Sequence, residues 1–114
     1  MKSINLPLIV NCLNELGDRN LQERLWTYAS PGEFSSFVEA HEQLFSDSGL
    51  GDALDSTEGA FSAEIDERLR KLGVQLRRFD TERAPQEIID DPEMEPIRAM
   101  AREAAGMIER LPRM

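Results

Sequence analysis

Cysteine, histidine and long apolar runs are all scarce in this chain, and each scarcity removes a class of function. Cys12 is the single cysteine, so no intrachain disulfide and no thiolate metal cluster is available, and a reducing cytoplasm is the simplest compartment. His41 is the single histidine. The stretch His41-Glu42-Gln43-Leu44-Phe45 opens like the H-E-x-x-H zinc motif, which needs two imidazoles one helical turn apart, but Phe45 stands where the second should be. No apolar run approaches the roughly 20 residues of a membrane span. The segment from Met1 to Leu13 is apolar but interrupted by Asn5 and Asn11, with Asn14 just beyond, and no small-residue cleavage site follows, so it reads as a core helix and not as a signal peptide. No glycine-rich G-x-x-x-x-G-K turn is present to cradle phosphate, and no G-x-S-x-G elbow to present a serine nucleophile.

Basic residues are also few, and unevenly placed. Residues 1–66 carry three Lys/Arg against 12 Asp/Glu, whereas residues 67–114 carry 10 of each, which gives the net charge of −9. The excess negative charge therefore lies wholly in the first part of the chain. Such a surface repels nucleic acid and anionic membrane, attracts basic proteins and raises association rates toward them. At 114 residues, 40% apolar and 31% charged, the chain is expected to form one domain over residues 1–114 with a single core.

The pattern of apolar residues is helical throughout, with no convincing period-2 alternation. Asn5 and Pro7 start a first helix that presents Leu6, Ile9, Leu13 and Leu16 on one face and ends at Gly17. Asp18 caps a second, in which Leu21, Leu25 and Tyr28 share a face with Trp26 alongside, broken by Ser30-Pro31-Gly32. Ser36 and Glu39 have capping-box spacing ahead of Phe37, Val38, Ala40, Leu44 and Phe45. Residues 46–59 read as a long acidic loop with one helical turn around Asp52 to Leu54.

The clearest helix runs from a cap at Ser62 to about Phe79, with Ile65, Leu69, Leu72, Leu76 and Phe79 as its stripe. Glu64 and Arg68, Asp66 and Arg70, and Glu67 and Lys71 are its i, i+4 pairs. Gly73 beside that stripe suits a close approach by a neighbour, although it also reads as a tolerated glycine. Pro85 begins a short helix through Ile88 and Ile89. A last helix starts near Pro96 with Ile97, Met100, Ala101, Ala104, Ile108 and Leu111 aligned, and Pro112 ends it. The expected fold is all-α, a compact bundle of about five or six helices with one long acidic loop.

Tests for chemistry leave no catalytic, cofactor or metal residue. Asp47 to Glu58 has the length of a calcium loop, but Gly49 and Gly51 occupy ligand positions and Asp52 stands where the obligatory glycine belongs. Asp90-Asp91 and Glu93-Met94-Glu95 sit at a proline-marked helix start, where capping and dipole compensation account for them. Cys12 is expected as a small buried hydrophobe. The basic cluster Arg68, Arg70, Lys71, Arg77, Arg78 and Arg83 is interleaved with acids, and intramolecular pairing is its expected role. Trp26 is assigned to the core, while Tyr28 suits core and contact equally.

The partner-binding residues expected from sequence are Glu33, Asp47, Asp52, Asp55 and Glu58, with Tyr28, because the acids have no helical basic partner and the loop is long for a simple connection. From Trp26 onward, the segment from Ser36 through Leu54, the long helix, and Ile88-Ile89-Asp90-Asp91-Pro92 resemble a family of small acidic all-α bacterial proteins without assigned activity. In size and acidity the chain is similar to immunity proteins, which neutralise toxins by binding them. That resemblance implies an inhibitor that acts by binding; with the charge asymmetry, the single cysteine and the failed motifs, the expectation is a non-catalytic cytoplasmic protein that engages a basic protein partner, with no nucleic acid, no membrane and no cofactor. The alternatives are a structural or regulatory subunit forming a homodimer through the stripe of the last helix with Met94, Met100 and Met107, and a small enzyme using a carboxylate base.

Overall fold

The computed structural model describes residues 4–27 and 35–112. Among them the fold is all-α, in seven helices: α1 (Leu6–Gly17), α2 (Arg19–Trp26), α3 (Phe37–Glu42), α4 (Leu50–Asp55), α5 (Ala63–Arg78), α6 (Pro85–Asp90) and α7 (Met94–Glu109). A π-helical turn, Gln43–Asp47, continues α3 toward α4.

Short side chains set most of the starts. The N–H groups of the first turn lack helical acceptors, and a side-chain oxygen one residue ahead of the helix supplies one. Asn5 Oδ1 accepts from Leu8 N–H at 3.2 Å, Asp18 Oδ1 from Leu21 N–H at 3.1 Å, Ser36 Oγ from Glu39 N–H at 3.0 Å and Ser62 Oγ from Ile65 N–H at 3.2 Å. Glu39 does not close the expected box on the Ser36 N–H; its Oε1 accepts instead from Gln43 Nε2 at 3.0 Å. Helix α7 begins at Met94, two residues before Pro96, because the turn that follows Asp91 feeds directly into it. Pro96 is then the third helical residue, where a missing N–H costs no intrahelical bond.

Helix α7 packs between α1 and α5, and α1 also touches α2, α3 and the π turn. The core follows the expected stripes: Ile9, Leu13 and Leu16 of α1, Ile65, Leu69, Leu72 and Leu76 of α5, and Ile97, Ala101, Ala104 and Ile108 of α7 are buried, whereas Leu6 is 44% exposed. Phe37, Ala40 and Leu44 are buried as expected, but Val38 faces solvent. Trp26 is in the core, edge-on to Phe37, which stacks on Phe79 at 5.0 Å between centroids. Its indole N–H donates to Glu15 Oε2 at 2.8 Å, so the polar edge is satisfied as the rings are buried.

The expected face of α2 is displaced by one residue. Gln22 and Trp26 are the buried pair, while Leu21 and Leu25 are half-buried. Gln22 wins its place through hydrogen bonds: Nε2 donates to the carbonyls of Glu15 at 3.0 Å and Leu16 at 2.8 Å in the last turn of α1, the first of which also accepts from Asp18 N–H at 3.5 Å. Tyr28, the third residue expected on that face, lies outside the described residues.

The acidic stretch is more helical than one turn. Asp47 closes the π turn, Asp52 and Asp55 lie on α4, and only Glu58 is in the connection to α5. Leu50, Ala53 and Leu54 give the segment an i, i+3, i+4 apolar face, and Gly49 at φ 82° makes the left-handed turn into it. Ser48 O, at the same corner, accepts from Asn5 N–H at 2.8 Å.

On α5, Glu64 and Arg68 pair at 3.7 Å as expected, but Asp66 and Arg70 do not pair with each other. Asp66 turns back to accept from Ala60 N–H and Phe61 N–H, both at 2.9 Å, and Arg70 Nη2 donates to Leu54 O at 2.7 Å. Buried at 5% exposure, Asp66 is a structural carboxylate that fixes the loop before α5.

Candidate functional site

Acidic side chains on α3, the π turn and α4 define the least compensated part of the surface. From Leu25 to Glu67 the chain has 43 residues, ten of them Asp or Glu and none Lys or Arg. Within that run Glu39, Glu42, Asp47, Asp52, Asp55 and Glu58 are all exposed. Asp52 and Asp55, three residues apart, occupy the solvent side of α4, opposite Leu50, Ala53 and Leu54. Of the residues expected from sequence to bind a partner, Asp47, Asp52, Asp55 and Glu58 therefore fall together along one stretch; Glu33 and Tyr28 lie outside the described residues. Among the described residues none of those four makes an ion pair with Lys or Arg.

Outside that run, several charges are paired. Arg68 pairs with Glu64 and with Glu103 of α7, and Arg19 with Glu23 and with Asp90. Arg83 Nη1 pairs with Asp91 Oδ2 at 2.9 Å, and its guanidinium lies 5.1 Å from the Phe79 ring centroid. Asp91 also accepts from Glu93 N–H at 2.8 Å; this bond and Arg83 hold its carboxyl below the ordinary carboxylate range. Of the acids around Pro92, Asp91 thus holds the turn into α7 and Glu95 lies in its first turn, whereas Glu93 makes no side-chain cap and Asp90 pairs with Arg19.

Beside the acidic face a cleft of about 390 Å³ opens between α4 and α5. His41, Phe45, Leu54, Asp55, Arg70 and Arg77 line it, with Gly73 and Val74 on the α5 side. Gly73 answers the question its position posed: a Cβ there would stand 3.2 Å from Phe45 Cζ and 3.4 Å from Arg77 Nη1. The close neighbour is thus an aromatic ring from the π turn. The His41 ring meets the edge of Phe45 at 5.7 Å. Burial, then Arg77, depress the His41 pKa below its ordinary value, with Glu42 opposing them. Burial and Arg77 thus favour the neutral imidazole. Sequence reading did not assemble this cleft, although Arg70, Gly73 and Arg77 have the i, i+3, i+7 spacing of one helical face.

Cys12 is buried at 2% exposure. Burial, with Glu15 and Asp47 adding to it, pushes the thiol up to about 11, the environment of an inert side chain. Among the described residues no three His, Cys, Asp or Glu side chains converge as metal ligands would, and no helix is long and apolar enough to cross a membrane. Compared with known proteins, the chain matches no family model, no curated protein and no solved structure.

Proposed function

We propose that this protein is a non-catalytic interaction module, an immunity-like inhibitor that binds a basic protein through the face built by the π turn, α4 and the connection that follows. The observation that carries this reading is the contrast in charge pairing. Arg19, Arg68 and Arg83 are engaged with internal carboxylates, while Asp47, Asp52, Asp55 and Glu58 are exposed with no Lys or Arg partner among the described residues. Carboxylates left in this state repel one another mildly in the free protein, and a cationic partner relieves that repulsion while being steered toward the face. Mounting them on a short helix packed against the π turn keeps them in a fixed arrangement, which favours register over mere charge attraction.

A homodimer through α7 has less support. Met94 is fully buried, and Met100 and Met107 are partly buried against the core, so the stripe that would mediate it is already directed at α1 and α5.

The reading is tested by measuring affinity for the protein encoded by a neighbouring gene as salt is raised across about a tenfold range of Debye screening. Affinity that falls steeply with salt supports it; binding indifferent to ionic strength contradicts the electrostatic basis.

A further inference from the structure

We propose that the cleft between α4 and α5 binds a monocarboxylate carried on a small apolar group, with Arg77, His41 and Arg70 receiving the carboxylate and Phe45, Leu54 and Val74 contacting the apolar part. The inference is independent of partner binding through the acidic face.

Three observations meet at this place. First, Arg77 has no ion pair or hydrogen bond among the described residues, and its guanidinium lies back over Gly73, with Nη1 3.4 Å from where a Cβ would stand. In a protein of net charge −9 that engages Arg19, Arg68 and Arg83 with its own carboxylates, Arg77 is an exposed cation at the cleft that makes no ion pair with Asp55, the one acid lining it. Second, Arg70 also lines the cleft, tethered by Nη2 to the Leu54 carbonyl, and its remaining N–H groups make no other hydrogen bond among the described residues. Third, His41 adds a neutral N–H donor, so the donors available exceed those of a lone arginine without a third full charge.

The ligand class follows from charge and shape. Asp55 lines the cleft beside Arg70 and Arg77, leaving a net charge near +1, which matches a monoanion. A dianion such as phosphate meets Asp55 at the cleft and the exposed carboxylates of α4 around it. A cavity of about 390 Å³ suits a ligand of a few heavy atoms beyond the carboxylate. Gly73, in the middle of α5, lets the Phe45 ring and the Arg77 guanidinium lie close against the helix at the cleft.

Because His41 is the only histidine, its ring protons give one resolved NMR signal inside the cleft, and Trp26 in the core gives a remote control. The probes are 3-methylbutyrate, its neutral amide, inorganic phosphate, and the peptide Ala-Ala-Leu with a free or an amidated C-terminus. The expected result is a saturable shift of the His41 signal with the carboxylates, little response to either amide, and weaker binding of phosphate. Tighter binding of the free acid than of the peptide identifies a small-molecule ligand; the reverse identifies the C-terminus of a polypeptide. Arg77→Gln, an exposed change that removes the charge, is expected to weaken the carboxylate by about tenfold or more, and Gly73→Ala to weaken it by displacing Phe45 and Arg77 from their close approach. Amides that bind as well as the acids, phosphate that binds more tightly, or an Arg77→Gln protein that titrates like the wild type would overturn the proposal.

Discussion

Arg98 on α7 donates through Nε to Gln22 Oε1 on α2 at 3.0 Å, with both side chains shut away from water. The same guanidinium donates through Nη2 to the Ile89 carbonyl of α6 at 2.7 Å, and Gln22 in turn serves the end of α1. Four helices are thereby joined through one buried polar pair. Nη1 lies 3.4 Å from the exposed Glu95 carboxylate without forming a hydrogen bond. Burial pulls the Arg98 pKa below its ordinary value, Glu95 opposes that, and Arg19 and Arg102 act with burial.

Breaking this pair from one side leaves the other side buried and unsatisfied. Arg98→Met or Gln22→Leu alone is expected to cost about 2–4 kcal/mol, because each strands polar atoms that water no longer reaches. The double variant should cost less than the sum by about 1 kcal/mol or more, as expected for groups in direct contact. Urea denaturation of the four proteins measures the cycle, and strict additivity would show that the pair is not a unit.

Asp66 holds the 56–62 connection by accepting from two backbone N–H groups. Asp66→Ala should cost about 2–3 kcal/mol, since a buried charged acceptor is lost and both donors are left open. Proteolysis should then accelerate at this connection before it does elsewhere. Cleavage unchanged in rate and position would mean that the loop is held by other contacts.

Cys12 should behave as part of the core. With its thiol pushed up to about 11 and its sulfur 3.9 Å from Gln43 Oε1, thiolate is almost absent at pH 8. Reaction with a disulfide reagent should be at least about a hundredfold slower than for a free thiol, and normal in denaturant. Rapid labelling of the native protein would refute this.

His41 should make stability fall on mild acidification. Its folded pKa is lowered, chiefly by burial and then by Arg77 of α5, against Glu42 of α3. Between the folded value and the unfolded value of about 6.5, the unfolded chain binds more protons, so stability rises with pH in that window. The contribution is complete above about pH 6.5 and is lost as pH falls through that value toward the folded pKa. His41→Gln should remove this part of the pH slope while leaving the carboxylate transition at lower pH. Parallel profiles for the two proteins would show that His41 is not perturbed.

Local physics made much of the fold legible. Asn5, Asp18, Ser36 and Ser62 cap the helices they precede, a bond that closes over three residues. The stripes of α1, α5 and α7 were readable because apolar burial repeats at the helical period. Gln22 and Arg98 were not readable, since a polar residue on a core face is justified only by its partner, here 76 residues away. Asp66 shows the same limit: its spacing to Arg70 fits a surface pair, yet the carboxylate finds better acceptance geometry in the loop behind it. Glycines at 49, 51 and 59 made the acidic stretch look like loop, although Leu50, Ala53 and Leu54 carry a buried helical face. The exposed acids could be named from sequence because nothing basic lies near them in the chain. The cleft could not, because His41 and Arg77 are 36 positions apart and only the packing of the π turn on Gly73 brings them together.

The central claim is that the acidic face on the π turn and α4 makes the contact with a basic partner. The direct measurement is capture of proteins from the native cell extract at low salt, comparing wild type with a folded variant in which Asp47, Asp52, Asp55 and Glu58 are changed to Lys. The account predicts that a basic protein is retained by the wild type, released at about 0.5 M salt where screening acts within a few ångströms, and not retained by the variant. Equal retention of the same protein by the charge-reversed variant would contradict it.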